Sequence, residues 1–257
     1  MFQIPGKSNR YWSHLTREEI SEWIEQGITT AILPFGSTEQ HGPHLMTGND
    51  YLFAERLAMD LAMEFNAFVL PPLPYGMADH HMGFKGTITV KESTLIGLLG
   101  DVASSIEKSG IRNLLISNGH GGNYSLISKF AKEWTGSLRI YHDADERLLF
   151  HSAKPFLNEF SAGEMGTHAG LQETSIALFT HPEFGVRKDR LEKGAMPAGE
   201  EWTTDEMKRI VTNGLHSFTP NGILGDARKS SSELGQRFYI SMLELYVRFY
   251  REQGLHS

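Results

Sequence analysis

Apolar positions along the chain follow two rhythms. Short β-branched runs recur at 29–34, 67–72, 111–117 and 138–141, with glycine or proline close by. This is the pattern of short buried strands. Two prolines after Leu70 keep the second run brief. Between the runs, apolar residues return every three or four positions, the spacing of one helix face. Thr16-Arg17-Glu18-Glu19 opens the first such segment with a capping box, and Ile20, Trp23 and Ile24 follow before Gly27. Residues 51–65 continue the pattern through Leu52, Leu57, Leu61 and Phe65, and residues 93–109 through Leu95, Leu98, Leu99, Val102 and Ile106. Further helices are expected over 124–134, from near Gln172 to Thr180, and over 232–250, where Leu234, Phe238, Met242, Leu245 and Phe249 share a face. Residues 181–219 are polar and poorly periodic, and read as a long loop with helical pieces.

Strands that alternate with helices predict an α/β fold with a mostly parallel central sheet covered on both faces. The connections should be right-handed crossovers. No internal repeat, composition shift or low-complexity linker divides the chain, so residues 1–257 read as one domain.

Composition narrows the chemistry. Hydrophobic residues make up 40% and charged residues 21% of the 257, which is the balance of a globular protein. A net charge of -7 argues against a nucleic-acid partner held by general electrostatics. With no cysteine and 12 histidines, a transition-metal site must use imidazole and carboxylate. No apolar run approaches the ~20 residues needed to span a bilayer. The start, Met1-Phe2-Gln3-Ile4-Pro5-Gly6-Lys7, lacks the apolar core of a signal peptide. A cytoplasmic protein without a membrane partner is expected.

The richest stretch follows the first predicted strand: Gly36-Ser37-Thr38-Glu39-Gln40-His41-Gly42-Pro43-His44, closed by Asp50. Glu39 and His41 are two apart, so extended backbone points both to one side. Asp50 arrives after a short loop. A carboxylate, an imidazole and a second carboxylate at a strand's end form a metal-ligand set, where open α/β sheets place their ligands. Asp50 also stands near the start of a predicted helix, where a carboxylate caps and suits the dipole with or without a metal. A second cluster, Asn118-Gly119-His120-Gly121-Gly122-Asn123, leaves the third strand, and its bland reading is a tight turn or a phosphate cradle. A third is His168-Ala169-Gly170-Leu171-Gln172-Glu173-Thr174-Ser175. No Gly-x-Ser-x-Gly elbow occurs.

Together the three clusters resemble the creatininase family of metal-dependent amidohydrolases. The first is similar to its Glu-x-His-Gly-x-His…Asp signature, the second to its Asn-Gly-His segment, the third to its His-x-x-x-x-Glu-Thr-Ser segment. The resemblance runs over residues 15–236, and Asn221-Gly222-Ile223-Leu224-Gly225-Asp226 resembles a family turn. It implies a three-layer αβα sandwich and a homo-oligomer, a hexamer in the family. It also implies a paired site bridged by the aspartate: Glu39, Asp50 and His120 on one divalent ion; His41, Asp50 and an acid on the other. Zinc or manganese is expected, with iron admissible. The creatinine-cleaving members place that acid two residues after the Asn-Gly-His histidine, where this chain has Gly122. Glu173 is the substitute.

Two ions about 3.5–4 Å apart generate a nucleophilic hydroxide at neutral pH and polarise the carbonyl it attacks. His168 is the candidate proton donor to the leaving nitrogen, its structural alternative being a buried core histidine. His81, Ala78, Gly121, Gly122 and Thr167 are the candidate substrate-binding residues, and His44 would stand behind the ligands. The leading reading is hydrolysis of a C–N bond in a small cyclic amide or formamide. The alternatives are opening of a cyclic polyol ketone at the same site, and a non-catalytic ligand-binding protein on an inherited fold. Creatinine itself is not the expected substrate. Thr167 replaces an acid, Gly121 and Gly122 replace an aromatic and an acid, and Ala78, His80 and Lys85 replace a serine, an acid and a proline. The two glycines should leave a roomier pocket.

Overall fold

A computed structural model of the chain describes residues 10–196, 209–210 and 212–256. The expectation for Met1–Lys7 and the middle of the 181–219 loop fall outside those residues. Four strands form one parallel sheet in the order β2-β1-β3-β4: β1 (Thr30–Phe35), β2 (Phe68–Val69), β3 (Asn113–Asn118) and β4 (Arg139–Tyr141). Each predicted strand is present within two residues of its expected start. The second is shorter than its apolar run, because its prolines cannot donate to a ladder.

β1 is buried along its whole length, as a strand covered on both faces must be. Its alternation splits the core in two. Ile32, with Val69, Leu115 and Tyr141, faces α2 (Asn49–Phe65), α7 (Leu171–Thr180) and α8 (Ser232–Glu252). Ala31, Leu33 and Phe35, with Leu114 and Ile116, face α3 (Glu92–Lys108) and α4 (Tyr124–Glu133). This is the expected three-layer αβα sandwich. The Thr16–Glu19 capping box is formed at the start of α1 (Arg17–Glu25).

Two short helices, α5 (Leu148–His151) and α6 (Ala162–Met165), are additions to the reading of the sequence. One helical turn is too short to display a period. The Ser161–Glu164 capping box of α6 was nevertheless written in the chain. Among the described residues, no helix is long and apolar enough to cross a membrane.

The register sets the site. Thr30 pairs with Asn113 and Phe35 with Asn118, so β1 and β3 end side by side. The loops that leave them open into the same crevice, beyond the carboxyl ends of the strands.

α8 docks on α7 through Gly235, where an added Cβ would stand 1.8 Å from the Ser175 carbonyl oxygen. Backbone cannot yield there as a flexible side chain would. Gly235→Ala is expected to destabilise the fold by at least the ~1–3 kcal/mol typical of overpacking. A urea midpoint equal to wild type, with unchanged m, would contradict this close approach.

Candidate metal centre

The first turn of α2 lies across the ends of β1 and β3. A Cβ on Gly36 would stand 2.3 Å from Tyr51 N, and one on Gly119 would stand 2.2 Å from Asp50 O. Glycine at both strand ends therefore lets the helix bring Asp50 over the crevice. The loop after β1 supplies Glu39, whose N–H donates to Thr47 O, and then His41 before the left-handed turn at Gly42. The loop after β3 supplies His120. Asn118 clamps that loop: its Oδ1 accepts from His120 N at 3.2 Å and its Nδ2 donates to His120 O at 2.8 Å.

Glu39, His41, Asp50 and His120 converge, all almost wholly buried. His120 Nδ1 lies 3.1 Å from Glu39 Oε2 and 3.1 Å from Asp50 Oδ2. His41 Nε2 lies 3.0 Å from Asp50 Oδ1 and 3.7 Å from Glu173 Oε2. Two groups of potential ligand atoms lie within 4.8 Å of one another: Glu39, Asp50 and His120, and Glu39, His41 and His168. The remaining ring nitrogens face acceptors: His41 Nδ1 is 3.2 Å from Glu39 O, and His120 Nε2 is 3.0 Å from Met77 O. Each ring can spend its proton on a carbonyl and turn a lone pair inward, the arrangement that orients metal-binding histidines.

Glu39 Oε2, Asp50 Oδ2 and His41 Nε2 are buried without a hydrogen bond. The ion-pair distances above are close, but their angles are not those of hydrogen bonds. Such atoms are costly unless something else takes their lone pairs. A hard or borderline divalent cation matches oxygen and imidazole donors of this kind, so the residues fit the ions expected from the sequence.

The charges respond accordingly. Burial disfavours the imidazolium of His41, but Asp50, then Glu173 and Glu39, raise it to about 10. His120 is likewise lifted against burial by Glu39 and Asp50. Burial would raise Asp50, yet the two histidines hold it well below the usual carboxylate range. Glu173, whose side chain is a quarter exposed, is pushed up to about 7, chiefly by burial.

The third motif meets the first. His168 Nδ1 is 3.7 Å from Glu39 Oε1, and its ring lies 4.3 Å from that of His41. Glu173 Oε2 accepts from Ala169 N at 2.7 Å, and Ala169 holds a left-handed φ of 54°. That conformation is uncommon for alanine, and the bond to Glu173 helps to hold it. His44 stands behind, with Nε2 2.9 Å from Thr174 Oγ1.

The substrate-side residues are less uniform. His81 is buried, with Nε2 3.3 Å from Glu39 Oε1, so it approaches a candidate ligand and not only the loop. Ala78 is fully buried, its N–H given to Thr89 Oγ1. Thr167 is exposed and held through its N–H to Leu224 O. Among the described residues, the roomier pocket expected at Gly121 and Gly122 is not found at Gly122, and at Gly121 it is narrowed by a ring. A Cβ on Gly122 would stand 2.2 Å from Met77 O and 2.5 Å from His120 Nε2, and one on Gly121 would stand 3.3 Å from Phe150 Cζ. The first space is taken by the His120–Met77 contact and the second by an aromatic from α5. Lys85 is exposed, whereas the His80 ring stacks on that of His120 at 5.9 Å.

Gln40, Asn118 and Asn123 were missed as working residues. Asn123 donates to Gly36 O and accepts from Met77 N, tying the substrate loop to the strand ends. Each lies inside a motif already singled out, but amides carry no charge and draw no attention by spacing.

The family model described as "Creatininase: Creatinine amidohydrolase" matches residues 13–250. A 3-dehydro-scyllo-inosose hydrolase of Thermotoga maritima is 28% identical, with 94% of this chain and 83% of that protein covered. A mycofactocin precursor peptide peptidase of Mycobacterium ulcerans is 31% identical, with 83% and 81% covered. The solved structure "Creatininase Mn" superposes with a TM-score of 0.75 at 22% identity, over 95% of this chain and 98% of that one. A further creatininase structure, of Zn-Zn type, gives 0.73 at 23%, over 95% and 97%.

The raised histidines give a pH prediction for the metal-free protein. A group whose folded pKa exceeds its unfolded value of 6.5 stabilises fully below that value and loses the contribution as pH rises. For His41 the window runs up through about 10, so metal-free protein should weaken steadily between pH 7 and 10. Zinc must displace those protons, so its binding at pH 7 should release about one or two of them. Calorimetry in buffers of different ionisation enthalpy measures this, and zero release would show that His41 and His120 do not bind the ion.

Proposed function

Since this hydrolase belongs to the creatininase family, we propose that it cleaves the C–N bond of a small cyclic amide or formamide at two divalent ions, zinc or manganese. The supporting observation is the convergence of Glu39 Oε2, Asp50 Oδ2 and His41 Nε2, buried and without hydrogen bonds. In this reading Glu39, Asp50 and His120 hold one ion. His41, Asp50 and Glu173 would hold the other. Divalent ions bound there supply Lewis acidity, lowering the pKa of water and drawing electron density from the scissile carbonyl.

The chain's own side chains do the remaining work. His168, against Glu39 and His41, carries the proton that the leaving nitrogen needs. Glu173, pushed up to about 7, would hold an ion as the carboxylate. Glu39 Oε1 faces His81 Nε2 at 3.3 Å, and its second oxygen would serve the ion. His80, lowered to about 4 mainly by burial, is a neutral hydrogen-bonding partner for substrate. Phe150 and Thr167 border the approach, with Ala78, Gly121 and Gly122 shaping its floor. We further propose a cytoplasmic homo-oligomer of this domain.

Asp50→Ala should remove both ions, whereas Glu173→Gln, which keeps shape and loses charge, should leave about one per chain. Elemental analysis decides, and two ions retained in Glu173→Ala, which keeps no oxygen donor, would exclude it as a ligand. His168→Ala should keep both ions and lower turnover about a hundredfold or more.

A panel of lactams, formamides, creatinine and a cyclic polyol ketone, assayed with added Mn²⁺ or Zn²⁺, tests the reaction. Turnover of a lactam or formamide is expected, with creatinine below about 10⁴ M⁻¹s⁻¹ in kcat/KM. Turnover of the ketone alone would overturn the C–N reading, and the likeness to the inosose hydrolase makes that arm essential.

A further inference from the structure

Gln40 lies between the two proposed ion ligands of the first motif, and its side chain turns the other way. Its Oε1 accepts from Gly42 N at 3.0 Å, and its Nε2 donates to Gly222 O at 2.9 Å. Reversing the amide would set donor against donor at Gly42 and oxygen against oxygen at Gly222, so its orientation is fixed by backbone on both sides. Gly222 is shaped for it: φ is 78°, and a Cβ there would stand 1.9 Å from Gln40 Oε1. The family-like turn at 221–226 therefore serves the site by seating this amide.

The same Nε2 lies 3.0 Å from His81 Nδ1 and 3.0 Å from His168 Nε2. An amide nitrogen has two protons and no lone pair to offer. One proton goes to Gly222 O, which leaves one for two imidazoles. The main chain breaks the tie. His168 Nε2 is also 2.8 Å from Gln40 O, a carbonyl that can only accept. A bare ring nitrogen at that distance would set lone pair against lone pair and leave the buried carbonyl unsatisfied. His168 Nε2 must carry the hydrogen and give it to Gln40 O. The second amide proton then belongs to His81 Nδ1, which must be bare. A neutral His81 with Nδ1 bare carries its hydrogen on Nε2, which faces Glu39 Oε1 at 3.3 Å.

We propose that Gln40 is a positioning residue: its side-chain amide and its carbonyl together fix the proton positions on His81 and His168. His81 turns the N–H edge of its ring, not a lone pair, towards Glu39 Oε1. His168 has its hydrogen tied to the main chain and turns the lone pair of Nδ1 inward. A ring in that state takes up a proton before it can release one. His168 therefore enters the proposed reaction with its free lone pair at Nδ1, on the side of Glu39. The proton assignment stands without the proposed reaction; this last consequence rests on it.

The test reads ring nitrogens directly and needs no substrate. Zinc-loaded protein, labelled with ¹⁵N at histidine, is sedimented and its solid-state spectrum recorded at pH 7. Signals are assigned by their loss in His81→Gln and His168→Gln. Both histidines are expected to show a protonated Nε2 and a bare Nδ1. A protonated Nδ1 on either ring overturns the assignment. Gln40→Glu puts an acceptor where the amide donates, so His81 should gain a proton at Nδ1. An unchanged His81 signal, in a variant with wild-type zinc content, would remove the amide from the argument. If Gln40→Glu does not fold, the wild-type spectrum still decides. The absence of zinc from wild type would overturn the proposed metal centre, while the tautomers could still be read.

Discussion

The structure is organised around carboxylates held away from water. Glu39 and Asp50 are almost wholly buried, and Glu173 stands at their edge. Several kcal/mol per buried charge must be offset if such groups are to stay ionised. Histidines do part of this: His41 and His120 lie within about 3 Å of the two buried carboxylates. They leave three potential ligand atoms without hydrogen bonds. The rest of the fold serves to assemble this arrangement, since none of the segments that contribute to it could hold it alone.

That assembly explains what the sequence could reveal. Glu39, His41, Asp50 and His120 were legible because ligand chemistry needs charged or imidazole side chains at short spacings near strand ends. The four strands were legible because burial on both faces leaves continuous apolar runs. Helices α5 and α6 were not, since one turn holds too few residues for a period. The geometry of Gly121 and Gly122 was misread for another reason. Counting side-chain volume by position assumes that nothing else moves in, and here Met77 O and Phe150 occupy the space. The roles of Gln40 and Asn123 were hidden because they depend on backbone atoms distant in sequence.

The comparisons bear on how activity could vary around such a centre. The relatives carry names as different as an inosose hydrolase and a peptide peptidase. Fold does not choose among reactions of that breadth. In this chain the candidate substrate-side residues lie outside the strands and long helices: His80 and Lys85 after β2, Gly121 and Gly122 after β3, Thr167 before α7. Loops held by a rigid sheet are where binding residues can change at least structural cost.

The contacts of Gly36 and Gly119 with the start of α2 have an implication for engineering. They join backbone to backbone, with no side chain between them that could be resized. Helix and strands therefore meet as a fixed bearing, and the aspartate it carries cannot be shifted by small increments. An engineer who wishes to redirect this protein should leave that joint alone and work on its rim, where the exposed side chains of Phe150 and Lys85 can be exchanged without re-aligning the centre.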